Sequence, residues 1–269
     1  MKHIYDRTAK YTRIGAFVGV LAYIVFIQFT ETTFQDDLAN HFLTAFLFFM
    51  ALGTAFFFQE AANKLPSDQI DKSYFSETFP LNELNFQKDV NIIPTSFLVS
   101  NTGERLYKIA PSKDFPIVRM LTSFSFLQSG MFFPVTYTVD TMDDKQVCRF
   151  VIKNKWKFMQ LKIYSYEGEH FSTAILPLFS VRNRVIVYDG ENRKMFQAEA
   201  KSVYGDIDIN NLEERRLATY RFGMFPYATH PAFETQAMNV HVSLARDLSY
   251  QEKLTFTALF YYWTTNSQQ

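Results

Sequence analysis

The chain reads as two membrane-spanning helices followed by a mainly-β body, about twelve antiparallel strands forming a barrel around an apolar C-terminal helix. Three observations predict this. Two long apolar runs stand back to back near the start, Ile14–Phe29 and Leu38–Phe58. Beyond about Ile92 the sequence changes to short alternating segments separated by turn residues. A final segment, Lys253–Trp263, is apolar almost all round and follows the helix-start signature Ser249-Tyr250-Gln251-Glu252.

A spanning helix takes about 20 mostly apolar residues at roughly 1.5 Å rise each. The second run meets that length, and the first does so with Tyr11 to Arg13 as an interfacial flank, giving helices over about 12–30 and 38–58. A basic start and an apolar core also fit a cleaved signal peptide. No A-x-A-like site follows Phe29, however, and a second apolar run comes at once, which favours a hairpin. Lys2, Arg7, Lys10 and Arg13 precede the first run, and Lys64 and Lys72 follow the second. The connector Thr30–Asp37 carries Glu31, Asp36 and Asp37 and no basic residue. Positive flanks stay on the cytoplasmic side. The expectation is an integral protein of the cell membrane with both termini and the large domain in the cytoplasm.

Gly15 and Gly19 form a G-x-x-x-G pair, continued by Ala22. Such a stripe lets helix backbones approach closely in lipid, within the hairpin or against a second copy. Glycine is also simply common in spanning helices. His41 sits near the outer end of the second run, where solvation at the interface accounts for it.

Lys and Arg number 27 and so do Asp and Glu, which leaves no field strong enough to attract nucleic acid. From Leu84 onward the balance is 21 basic against 18 acidic residues, mildly basic as suits a domain facing an anionic leaflet. Cys148 is alone, so no internal disulfide forms, in agreement with a cytoplasmic body.

Three regions follow: a hairpin over 1–59, a linker over 60–88 and a β-rich domain over 89–269. The linker carries Pro66 and Pro80, with a short helix expected around Asp68–Phe79. Thr95–Ser100 and Glu104–Ala110 flank the hairpin signal Asn101-Thr102-Gly103. Ile117–Phe126, Phe132–Asp140, Gln146–Ile152, Phe158–Tyr164 and Glu169–Leu176 continue the series. Phe179–Tyr188, Lys194–Lys201, Tyr204–Ile209, Arg216–Phe222 and Thr235–Leu244 bring it to twelve. Even spacing fits a barrel or a sandwich, and the need to remove exposed edges favours closure. For Lys253–Trp263, β-branched and aromatic content suits a strand. The capping box and the volume inside a barrel favour a helix, which is the reading adopted here.

Two units, LKIYSYEGEHFSTAI (Leu161–Ile175) and RVIVYDGENRKMFQAEAK (Arg184–Lys201), carry the turns Tyr166-Glu167-Gly168-Glu169 and Tyr188-Asp189-Gly190-Glu191. In these, and in the close from Tyr204-Gly205-Asp206-Ile207 through Arg221-Phe222 to Val240–Trp263, the body resembles the tubby-like superfamily. That group includes tubby C-terminal domains, phospholipid scramblases and LURP-one-related proteins. The resemblance runs from about Ile92 to Trp263 and implies a twelve-stranded barrel wrapped around a C-terminal helix. Glu167 stands where the family pattern has Asp, and Phe222–Thr235, with Pro226 and Pro231, reads as an inserted loop. No residue of a calcium or phosphoinositide site carries over.

Catalytic signatures are missing from the sequence. His3, His41, His170, His230 and His241 are scattered, and no C-x-x-C, H-E-x-x-H, phosphate loop or G-x-S-x-G elbow occurs. Asp206 and Asp208 share a strand face but lack a third acidic neighbour. No metal, cofactor or enzymatic activity is expected. One cluster points to a ligand: Lys153, Lys155 and Lys157 alternate with Asn154 and Trp156, Lys162 follows, and Arg182, Arg184, Arg193 and Lys194 extend it. In an extended or turning segment the three lysines share a face with Trp156 opposite. A polybasic segment beside an aromatic suits anionic lipid head groups, each charge near the surface contributing about 1 kcal/mol. An ordinary solvated loop with Trp156 in the core is the alternative. The sequence therefore predicts a membrane-anchored, non-enzymatic module whose partners are lipids or a protein. The rivals are an assembly subunit of a membrane or envelope complex, with a protein partner or a second copy, and a lipid-handling protein with an unrecognised site.

Overall fold

A computed structural model describes residues 2–30, 38–64, 82–89, 93–100, 104–177, 184–199, 207–210, 214–223 and 239–266. It divides into two compact units, Met1–Gln69 and Ile70–Gln269.

The first unit is a pair of helices, α1 (Lys2–Thr30) and α2 (Leu38–Lys64). Within them Tyr5–Phe29 and Leu38–Lys64 are long and apolar enough to cross a membrane. Both helices outrun the sequence expectation, α1 by most of its N-terminal flank and α2 by six residues past Phe58. The two pack through Ala9 and Ala55, which are fully buried, and through Phe17 against Phe48 with ring centroids 5.5 Å apart. Toward the chain start Tyr5 stacks on Phe58, and Gln59 Nε2 donates to Asp6 Oδ1 at 2.8 Å. Apolar side chains such as Phe26, Phe42 and Phe49 point outward, the inverse of a water-soluble helix pair.

The second unit is an up-and-down antiparallel barrel. Its strands are β1 (Glu83–Asp89), β2 (Thr95–Val99), β3 (Arg105–Pro111), β4 (Val135–Thr141), β5 (Gln146–Asn154) and β6 (Phe158–Ser165). The circuit continues with β7 (His170–Pro177), β8 (Arg184–Asp189), β9 (Lys194–Glu199), β10 (Ile207–Asn210), β11 (Arg216–Gly223) and β12 (Asn239–Leu244). The order β10-β11-β12-β1-β2-β3-β4-β5-β6-β7-β8-β9 makes one sheet of 12 strands. β12 returns to pair with β1, Val242 opposite Leu84. The circuit is nearly closed: β9 and β10 lie side by side without a hydrogen-bonded ladder among the described residues.

The twelve strands are not the twelve expected. Ile117–Phe126 is not a strand but a short helix, α3 (Pro116–Leu121), followed by a 3₁₀ turn at Ser125–Leu127. Pro116 at the first turn presets the helical φ, and Thr122 closes the end, its N–H bonded to Val118 O. The missing strand is β1, which lies inside the segment read as linker. Only Leu84 and Phe86 are apolar in it, an alternation too short to stand out among Asn85, Gln87, Lys88 and Asp89. Asp68–Phe79 lies outside the described residues.

Helix α4 (Tyr250–Asn266) fills the lumen. The capping box forms as the sequence predicts: Glu252 Oε2 accepts the Ser249 N–H at 2.8 Å, and Ser249 Oγ accepts the Glu252 N–H at 3.3 Å. Residues Lys253 to Tyr261 are all buried. Inward-facing aromatics meet the helix from around the barrel: Phe196 of β9 stacks on Phe256 at 4.8 Å, Tyr137 of β4 contacts Tyr261 at 5.0 Å, and Tyr220 of β11 contacts Phe260 at 5.5 Å. Thr255, Thr257 and Thr264 return their hydroxyls to carbonyls four residues back, so their burial leaves no donor unmet. Ser172 of β7 adds a 2.6 Å hydrogen bond to Thr255.

Truncating this plug should be costly. Phe256→Ala is expected to destabilise the body by about 3–5 kcal/mol, the range for emptying a core aromatic site, while Glu252→Ala costs about 1 kcal/mol through the cap. Denaturant unfolding followed by far-UV circular dichroism reads both. Burial lowers the His241 imidazole below its ordinary 6.5, with Glu83 opposing that shift. The unfolded chain therefore binds the proton more readily, so this contribution to stability is full above 6.5 and is lost as pH falls through 6.5 toward the folded value. His241→Gln should flatten that slope in the same unfolding assay.

Candidate functional site

Antiparallel winding puts the β3–β4, β5–β6 and β7–β8 connections at one end of the barrel and the β4–β5, β6–β7 and β8–β9 turns at the other. The lysine cluster belongs to the first end. Lys153 and Asn154 finish β5, Phe158 opens β6, and Lys155, Trp156 and Lys157 form the reversal between them. Asn154 builds this turn. Its Oδ1 accepts the Trp156 N–H at 2.7 Å, its Nδ2 donates to Met131 O at 3.1 Å, and its own N–H bonds Gly130 O at 3.2 Å. The Lys155 N–H closes the loop on Phe158 O at 2.9 Å.

Trp156 adopts φ +70°, a left-handed conformation that costs a residue with a Cβ roughly 1–2 kcal/mol. Its side chain is 86 % exposed. The alternative that places Trp156 in the core therefore fails. The left-handed turn ends the strand alternation, and Lys153, Lys155, Trp156 and Lys157 all stand in the open at the tip.

The other predicted residues scatter. Arg184 opens β8 at this same end of the barrel, across the ladder from Glu199. Lys162 does not: it lies mid-strand on the outer face, opposite Thr173. There it lines a polar groove of about 330 Å³ with Gln160, His170, Tyr188 and Asn192, in which His170 Nε2 bonds Thr173 Oγ1 at 2.9 Å. Arg193 and Lys194 sit at the opposite end, Arg193 held by Asp189 at 2.8 Å. That contact keeps the Asp189 carboxyl below its usual range. Arg182 lies outside the described residues.

Asp208 is tied to Arg221 at 2.6 Å, and Asp206 lies outside the described residues. Among the described residues no group of three His, Cys, Asp or Glu side chains converges as a metal site. His41 Nδ1 bonds Tyr23 OH at 2.9 Å between the helices, and His241 Nδ1 lies 3.3 Å from Asn85 Oδ1. Gly15 and Gly19 line a recess of about 500 Å³ between α1 and α2, with nothing within 4 Å of where a Cβ would stand. Cys148 is buried, and desolvation with the nearby Asp140 pushes its thiol well up, away from reactivity.

A second component of the tip was missed in the sequence. Residues 112–134, between β3 and β4, fold over the barrel end. Inward, the Tyr137 hydroxyl donates to Gln128 O at 3.0 Å and Gln128 Nε2 donates to Thr122 O at 3.0 Å, all three residues buried. Gly130, at φ +74°, approaches β5 so closely that a Cβ there would stand 2.7 Å from Ile152 O. Outward, Ile117 and Phe132 are 74 % and 69 % exposed. The overlooked signal is the run Phe115 to Phe133, too rich in large apolar residues for a solvated connection and interrupted by Pro116 and Gly130.

Compared with known proteins, the chain matches no family model and no curated relative.

Two outcomes follow from this geometry. Trp156→Gly should leave the body as stable as before or about 1 kcal/mol more so, since Gly relieves the left-handed strain. Gly130→Ala should destabilise it through the clash with β5, read as a lowered melting temperature. Of the two tryptophans, exposed Trp156 should be quenched by aqueous iodide and buried Trp263 spared, so that Trp156→Phe abolishes most of the quenching.

Proposed function

We propose that this protein is a membrane-anchored, non-enzymatic module whose barrel engages anionic lipid head groups at the inner leaflet. The observation that supports this best is the Lys153–Lys157 tip. Three exposed lysines surround a tryptophan held outward in a left-handed turn, a conformation that would be costly to keep without a use. Trp rings favour the membrane interface, and each lysine near an anionic surface contributes about 1 kcal/mol. The two long apolar helices support anchoring in the cell membrane. Basic flanks at Lys2, Arg7, Lys10, Arg13 and Lys64 favour both termini and the barrel in the cytoplasm.

A barrel of twelve antiparallel strands around a C-terminal apolar helix supports a place in the tubby-like superfamily. The proposed activity is argued from the tip and not from that kinship, since one fold serves many functions. An assembly role has narrower support, the recess that leaves Gly15 and Gly19 open to a helix from a second protein.

The test uses the full chain reconstituted in vesicles of phosphatidylcholine, alone or mixed equally with phosphatidylserine. Trp156 should be shielded from iodide on the phosphatidylserine vesicles, and that shielding should fall with added salt. The triple variant Lys153→Glu, Lys155→Glu, Lys157→Glu should lose it. Shielding indifferent to lipid charge and to the variant would reject head-group recognition.

A further inference from the structure

The tip carries an apolar surface larger than head-group recognition requires. Among the described residues of the body, every strongly exposed large apolar side chain except Tyr166 belongs to this one end. The β3–β4 connection supplies most of them, with Phe115, Ile117, Met120, Phe124, Phe126 and Phe132 all more than half exposed. Phe126 bridges Phe124 and Phe132, its ring centroid 6.1 Å from one and 6.2 Å from the other, so they form a continuous patch. Trp156 belongs to the same end, fixed there by the bonds from Asn154 to Gly130 and Met131.

Nothing about this segment is loose. Thr122, Gln128, Ser129 and Gly130 are buried beneath it, and the Tyr137–Gln128–Thr122 chain ties it to the barrel rim. The hydrogen bonds from Tyr137 to Gln128 and from Gln128 to Thr122 fix the inner backbone, and the apolar side chains stand on its outer side. Soluble monomers rarely leave contiguous apolar patches of more than roughly a few hundred Å² in water, and larger ones mark a partner or a membrane.

We propose that the β3–β4 connection is a membrane-inserting cap, which sinks its apolar side chains and Trp156 past the head groups into the upper acyl region. This rests on the reading of the barrel as a lipid-facing module and adds to it a different force, burial of apolar surface. Charge selects the bilayer over other occupants. Among the described residues Lys88, Lys113, Arg119, Lys153, Lys155, Lys157 and Arg184 belong to this end, against Asp89, Asp114 and Glu199, besides the paired Arg221 and Asp208. A second copy docked tip to tip would set like charges against each other, whereas an anionic leaflet accepts the basic groups around the apolar side chains. Basic groups at head-group depth flanking aromatic and aliphatic side chains is the arrangement of interfacial membrane segments.

The test labels Ile117→Cys with an environment-sensitive NBD probe on the full chain. The native Cys148 is buried and stays unlabelled. In phosphatidylcholine vesicles, with or without phosphatidylserine, the probe should shift to the blue and be quenched by lipids brominated in the acyl chains. A probe at Asp143→Cys, in a turn of the opposite end, should show neither effect. Replacing Phe124 and Phe126 by Ser should abolish most of the quenching, while circular dichroism shows the barrel still unfolding cooperatively.

A probe at residue 117 that stays red and unquenched while Trp156 keeps its response to phosphatidylserine overturns insertion and leaves head-group recognition standing. Quenching that persists in the triple Lys→Glu variant supports insertion and rejects the lysine reading. A probe protected from bromine but self-quenching as protein is added per lipid assigns the patch to a second copy and overturns the proposal.

Discussion

The body depends on one constraint: a helix that is apolar on every side must be enclosed on every side. α4 buries Phe256, Leu259, Phe260 and Trp263 on one side and Leu254, Ala258 and Tyr261 on the other, with buried Thr257 and Thr264 between them. A single sheet face or a neighbouring helix covers only part of such a surface. Twelve strands wound up and down provide a nearly closed wall, and their inward side chains reach the helix from several directions through Tyr137, Phe150, Phe196 and Tyr220. Closure in turn sorts the connections into two ends. Without the plug the inner faces of the strands would have nothing to pack against.

The two ends differ in chemistry. At one, the turns carry Asp143, Asp144, Glu167, Glu169 and Glu191 with Lys145 and Arg193, a mixed and mostly acidic set. Among the described residues the other is basic and apolar, carried mainly by the β3–β4 connection and the Lys155–Lys157 reversal. Gly130 joins the two parts of that end because only a residue without Cβ permits the backbone of one to lie against β5, which carries the other. A residue with no side chain thus positions both the lysines and the aromatics.

Most of the architecture was legible in the sequence because it rests on patterns that do not need partners. The apolar runs before Phe58, the turn signals between strands and the Ser249–Glu252 capping box are local. What escaped was decided by tertiary context. β1 hides in a polar segment because only Leu84 and Phe86 mark its apolar face, which Val242 and Val240 of β12 and Leu98 of β2 complete. Ile117–Phe126 has the composition of a strand, yet its apolar residues face outward and its backbone needs are met by a short helix. The lysine cluster was found by composition. Its geometry was not, since a left-handed Trp156 held by Asn154 has no signature in residue type.

The central claim is that the basic, apolar end of the barrel is the surface that meets the membrane. Photo-crosslinking tests it most directly: the full chain in vesicles whose lipids carry a diazirine within the acyl chain, irradiated, digested and mapped by mass spectrometry. The account predicts adducts on α1, α2, residues 115–132 and Trp156, with the turns at Asp143–Lys145, Glu167–Gly168 and Glu191–Asn192 unmodified. Adducts confined to the two helices, or spread over those turns as much as over the tip, would contradict it.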